Sequence, residues 1–167
     1  MTPLPRRPRV ALALPLPVQE SPAWRKNLSR SDAAVLVVDS SVWIDFFNGT
    51  PNPARDVLRR LLAEGRVRLV VPDLVLYEVL RGFRHERDFR QALALMQGLA
   101  SEDCGGEALA LAAAHHYRSL RAAGVTVRSS IDVLVANLCI ECGYALLHRD
   151  RDFDAFEDLR GLKTWQH

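Results

Sequence analysis

From Ala33 onward, apolar and polar positions along the chain fall into two recurring patterns. AAVLVVD (33–39) and VRLVVP (67–72) are short unbroken apolar runs, suited to strands buried on both faces. YALLH (144–148) is a third strand candidate, and LKTW (162–165) a weaker fourth. PARDVLRRLLAE (53–64) instead spaces its apolar residues helically, with Pro53 near its start and Gly65 after its end. The same spacing predicts helices over 73–83, 86–99, 107–123 and 131–142, with Gly124 and Gly143 closing the last two. Strands alternating with helices of this length predict an α/β fold: a three-layer sandwich with a mostly parallel central sheet flanked by helices.

Six of the nine prolines precede residue 34. Residues 1–33 are therefore expected to form a basic, proline-rich arm or linker, or to be translated upstream sequence from a misplaced start codon. Residues 34–167 are the expected folded domain. With 49% apolar residues over 167 positions, the chain can bury one good core.

Charge changes this picture locally. The first 34 residues carry five Arg and one Lys against Glu20 and Asp32, net +4, so a total of +2 leaves the remainder at −2. A bulk-electrostatic case for nucleic-acid binding by the folded part therefore fails. Arginine nonetheless outnumbers lysine 20 to 2, and its planar fork suits bidentate phosphate contacts. Three cysteines, 104, 139 and 142, are too few and odd in number for a disulfide framework, which favours a reducing cytoplasm. No apolar run reaches the roughly 18 residues a membrane span requires. The opening MTPLPRRPRVALALPLPV mimics a signal peptide, but Pro15 and Pro17 interrupt it and no small-x-small cleavage site follows.

Ligands of open α/β sheets bind beyond the carboxyl ends of the strands, so the residues just after each strand are the candidates for chemistry. Asp39 ends the first run, in VVDSSVWIDFF; Asp150 follows YALLH, with Asp152 two residues on. Glu78 (LVLYEVLRGF) and Asp132 (SSIDVLVA) lie in predicted helices. Asp39, Asp132 and Asp150 each also fit a helix-capping role, Asp132 through Ser129-x-x-Asp132. Glu78 resists that reading: it sits mid-helix among Leu74, Val75, Val79 and Leu80, where only an ion pair with Arg81 would be local compensation. Four acids near one sheet edge would repel unless a divalent cation sat among them. Oxygen-only ligands suit magnesium or manganese, and a hard cation beside an open groove points to phosphodiester hydrolysis.

The segments VVDSSVWIDFF, YEVLRGF, SSIDVLVANLCIECGYALLHRDRDFDAF and GLKTW, in that order, resemble the PIN domain family, and more narrowly its VapC-type toxin ribonucleases. The resemblance spans about Val35 to Trp165. It implies that Asp39, Glu78, Asp132 and Asp150 are the metal-binding catalytic acids, with Asp152 an outer or alternative ligand and Ser40 orienting the site. It implies a toxin of a type II toxin–antitoxin system: an endoribonuclease dependent on Mg2+, with Mn2+ substituting, that hydrolyses RNA to 3′-hydroxyl and 5′-phosphate ends. It further implies inhibition by a VapB-like antitoxin, homodimerisation, and operator DNA binding only through the antitoxin. The arm has no counterpart in the family pattern, and Asn137, Cys139 and Cys142 stand where alanine-like residues are usual.

Other motifs carry less. Cys139-x-x-Cys142 lacks two further zinc ligands and fits two small packed side chains. His115 and His116 point in different directions, and His148 fits a sheet-end histidine with a satisfied hydrogen bond. Arg81, Arg84, Arg87 and Arg90 recur every three residues as a solvated face; Arg81 or Arg84 could also touch RNA phosphate or an acidic antitoxin segment. Trp43, Phe46 and Phe47 read as core or dimer contact. The rival to an RNA-cutting enzyme is a catalytically inactive PIN-like module that binds a protein or nucleic-acid partner. A phosphorylated receiver domain needs an extra acidic pair at its first strand, which Asp39-Ser40-Ser41 does not supply.

Overall fold

The computed structural model describes residues 35–167, so the arm expected over 1–33 lies outside the described residues. The chain runs β1 (Val35–Val38), α1 (Ser40–Asn48), α2 (Pro53–Glu64), β2 (Arg68–Pro72), α3 (Asp73–Leu80) and α4 (Glu86–Gln97). It continues β3 (Ala100–Glu102), α5 (Glu107–Ala122), α6 (Ser130–Cys142), β4 (Ala145–Leu147), a 3-10 turn (Arg151–Phe153), α7 (Asp154–Arg160) and β5 (Lys163–Thr164). The five strands form one sheet in the order β3-β2-β1-β4-β5, and every neighbouring pair is parallel. This is the α/β sandwich the hydrophobic pattern predicts.

The central strand explains its own composition. Leu36, Val37 and Val38 are all fully buried, because a parallel strand covered on both faces has no solvent side to accept polar residues. In α2 the buried residues are Ala54, Val57, Leu58 and Leu61, a single stripe at helical spacing, with Asn52 capping the first turn through Arg55 N at 2.9 Å. Helix α6 is buried more fully, through Val133, Val135, Ala136, Asn137, Leu138 and Cys139. Asn137, one of the departures from the family pattern, donates from Nδ2 to the Leu109 carbonyl at 3.1 Å and so ties α6 to α5. None of the three cysteines is in a disulfide, and Cys104 and Cys139 are buried.

Helices α3 and α4 end earlier than the sequence expectation, and β3 was missed. Helix α3 stops at Leu80 rather than 83, since Gly82 N and Phe83 N bond back only three residues, to Val79 O and Leu80 O. Helix α4 stops at Gln97, and the chain enters β3, which no pattern announces. Its sequence, Ala-Ser-Glu, has neither alternation nor β-branching; the strand exists because the free edge of β2 offers the register Val70↔Ala100, Val71↔Ser101 and Pro72↔Glu102. Gly143 makes the turn from α6 into β4 with φ of 72°, a conformation that disfavours any residue with a Cβ.

Candidate active site

Strand order fixes where the site lies. From β1 the chain builds β2 and β3 on one side, then returns to lay β4 and β5 on the other, so the connections diverge between β1 and β4. A crevice opens at that point beyond the carboxyl ends of the strands. Asp39 and Asp150 leave those two ends, and Asp39 N donates to Leu147 O at 2.9 Å, carrying the β1–β4 ladder up to the first acid.

Asp39 is only 4% exposed. Its backbone is extended, and its carboxylate caps α1 by accepting from Ser41 N at 3.0 Å and from the Ser41 hydroxyl. Burial raises its pKa above the usual carboxylate value, opposed by the bonds from Ser41, the Ser40 N–H and the nearby His148. The hydroxyl that bonds this carboxylate is that of Ser41, the second helical residue, which is where an N-cap side chain reaches. Ser40 contributes its backbone N–H.

Asp132 stands in the first turn of α6, where Ser129 Oγ accepts its N–H at 3.2 Å. Its pKa is pushed up to about 6, first by burial, with the Ser129 hydroxyl opposing, and then by the negative charges of Asp39, Asp150 and Glu78. The charges of Asp39, Asp150 and Glu78 thus all bear on Asp132, although two of the four acids come from strand ends and two from helices. Glu78 is half-buried on α3. The Arg81 guanidinium lies over the Tyr77 ring, 5.4 Å from its centroid, rather than pairing with Glu78. Arg84 is exposed.

The segment HRDRDF resolves into separate tasks. His148 is buried, and its Nδ1–H donates to Asp150 O at 2.9 Å. Arg149 reaches back to the buried carboxylate of Asp45 in α1, which also accepts from Asn52 Nδ2 at 3.0 Å. Asp150 Oδ1 accepts from Asp152 N at 2.9 Å, capping the 3-10 turn. Asp152 turns the other way: it accepts from Arg128 N at 3.1 Å and faces the Arg128 guanidinium at 3.4 Å. The carboxylate bearing on Asp132 is that of Asp150, while Asp152 is engaged by Arg128. Arg128 was missed because nothing in its immediate sequence sets it apart from the other arginines; its role depends on residue 152, twenty-four positions away.

Trp43 is fully buried, stacked on Phe47 at 5.9 Å, and Phe47 meets Phe83 edge-on at 5.5 Å. These aromatics are core, fastening α1 to the end of α3 and so setting Asp39 relative to Glu78. His116 is buried and accepts at Nδ1 from Arg160 Nε at 2.8 Å, whereas His115 is exposed.

Among the described residues, no three His, Cys, Asp or Glu side chains converge closely enough to grip a metal ion. The donor set nonetheless fits a hard divalent cation: every group is a carboxylate, and the mutual repulsion that raises Asp132 is what such a cation would relieve.

The family model for the PIN domain matches residues 36–159. Ribonuclease VapC11 of Mycobacterium tuberculosis and a VapC ribonuclease of Mycobacterium bovis are each 34% identical over 130 residues, covering 78% of this chain and 97% of the relative. The chain belongs to the PIN domain family and, within it, to the VapC ribonucleases. Among solved structures, the VapBC2 complex of Rickettsia felis bound to a promoter DNA fragment superposes with a TM-score of 0.62 at 15% identity, covering 79% of this chain and 99% of the other. VapC20 of Mycobacterium tuberculosis, a toxin that cleaves the sarcin–ricin loop, gives 0.56 at 20% identity, with 72% and 93% covered. At these identities the likeness is one of fold.

Proposed function

We propose that this chain is the toxin of a type II toxin–antitoxin system, an endoribonuclease that hydrolyses RNA phosphodiester bonds with Mg2+ or, in its place, Mn2+. The observation that carries the reading is the position of Asp39 and Asp150 just beyond the adjacent ends of β1 and β4, where the sheet diverges, with Asp132 near enough to feel both charges. Family membership supports the reaction class.

Asp39, Glu78, Asp132 and Asp150 would hold the cation, with Asp39 immobilised by Ser41. A divalent cation bound there would activate water and neutralise charge at the scissile phosphate. Asp150 is kept in place by its bond to Asp152 N, while Arg128 holds the Asp152 carboxylate outside the set. The exposed guanidiniums of Arg81 and Arg84 lie beyond Glu78 on the chain and are suited to RNA phosphate or to an acidic segment of an antitoxin. A VapB-like antitoxin as inhibitor, a homodimer, operator DNA reached through the antitoxin, and a cytoplasmic location complete the proposal.

The test is cleavage of total RNA by the purified full chain with Mg2+ or Mn2+. Cutting should disappear with a chelator and fall at least a hundredfold in Asp39→Asn. An Asp39→Asn protein that cuts at the wild-type rate would remove these acids from the chemistry. No metal-dependent cutting by the wild type would favour the non-catalytic binding module.

A further inference from the structure

A cavity of about 400 Å³ opens between α5 and α6. It exists because α5 presents Ala110, Ala113 and Ala114 on one face, leaving space that larger side chains would fill. Tyr117, Val133 and Leu134 supply the rest of its apolar wall. Its rim is polar and shared with the acids: Arg128 binds Asp152, and Ser129 receives the N–H of Asp132. A second guanidinium, Arg121, lies over the Tyr117 ring at 6.0 Å from its centroid. The space thus adjoins the candidate active site through Arg128 and Ser129, with Arg128 as the cation in its lining.

We infer that this cavity receives one unpaired base of the RNA strand whose backbone crosses the acids, with Arg128 at the adjoining phosphate. The inference rests on the ribonuclease reading for the direction of the strand. Its own support is the composition of the cavity. An apolar floor with an aromatic ring takes the face of a base, the hydroxyls of Ser129 and Ser130 can meet its edge, and the Arg128 guanidinium suits the phosphate chain. The volume lies within the range of small-ligand pockets, above roughly 300 Å³. A paired duplex cannot use it, since its bases are held in the stack. Charge complementarity also favours RNA over an uncharged peptide, because the exposed Arg128 guanidinium stands among the residues lining the cavity.

The experiment reads binding separately from cleavage. Full-length Asp39→Asn protein, which should not cut, is titrated with single-stranded homopolymers of A, C and U of roughly twelve nucleotides, and with an abasic ribose-phosphate strand of equal length. At least one homopolymer should bind about tenfold tighter than the abasic strand by fluorescence anisotropy. Adding Ala114→Trp, an exposed position on the cavity wall, should abolish that preference while leaving abasic binding unchanged. Tyr117→Ala serves as the second variant should the tryptophan impair folding, which thermal melting reports. No preference for bases, or a preference that survives both substitutions, overturns the inference. So does a result in which base preference persists while association with an antitoxin chain is lost, because the cavity would then belong to a protein partner. Absence of metal-dependent cutting by the wild type would sink the ribonuclease reading but would not alter these binding outcomes.

Discussion

If burial, and after it the charges of Asp39, Asp150 and Glu78, disfavour the ionised Asp132 carboxylate in the metal-free protein, removing that charge should trade activity for stability. Asp132→Asn is the most direct perturbation. A rise of the Asp132 pKa from 3.8 to about 6 corresponds, at about 1.36 kcal/mol per pH unit, to an upper bound of about 3 kcal/mol. The carboxylate is only partly buried, so solvent screening reduces the expected effect to roughly 1–2 kcal/mol. The sign follows from linkage. Below pH 3.8 the carboxyl is protonated in both folded and unfolded chains and costs nothing. Between 3.8 and about 6 the unfolded chain ionises first, so the native state loses stability as pH rises, and the loss is complete above about 6. Asparagine keeps the backbone N–H that Ser129 accepts, so the cap survives. In urea denaturation with chelator, Asp132→Asn should exceed wild type by roughly 1–2 kcal/mol at pH 7.5, with the difference shrinking toward zero at pH 3.5. Millimolar Mg2+ should stabilise wild type more than the variant. A variant that is less stable than wild type by the same amount at both pH values would refute the electrostatic account of the site.

Two further substitutions test how the site is held. Arg149→Ala leaves the buried Asp45 carboxylate with Asn52 as its remaining side-chain donor, and should cost about 1–3 kcal/mol in urea denaturation; Asp45→Asn in the same background should recover part of that loss. Gly143→Ala should cost about 1–2 kcal/mol from backbone strain alone, because φ is 72° and an added Cβ meets nothing within 4 Å. A neutral result there, read by thermal melting, would show that the turn between α6 and β4 relaxes.

The fold class was legible because its central strands are buried on both faces, and burial on both faces leaves an unbroken apolar run. The amphipathic stripe of α2 and its Asn52 cap were equally local. The candidate acids could be read singly from their positions after strands or within helices, yet capping explained three of them as well. The structure shows why that ambiguity was real: Asp39 and Asp150 do cap, through Ser41 and Asp152, while their charges also bear on Asp132. Capping and site duties are compatible because an N-cap carboxylate has two oxygens and the cap bonds here engage only one of them.

Sequence alone therefore determined what depends on neighbours along the chain: strand and helix segments, caps, turn glycines, and the chemical type of each acid. Tertiary structure decided what depends on partners far apart. It made β3 a strand through the free edge of β2, set the Ser41 hydroxyl on Asp39, gave Asp152 to Arg128 and Arg149 to Asp45, and opened the cavity between α5 and α6. Above all, it brought Asp39, Asp150 and Glu78 within electrostatic reach of Asp132. Charge acts through space rather than along the chain, so only the packed sheet and helices could bring these separate carboxylates to bear on Asp132.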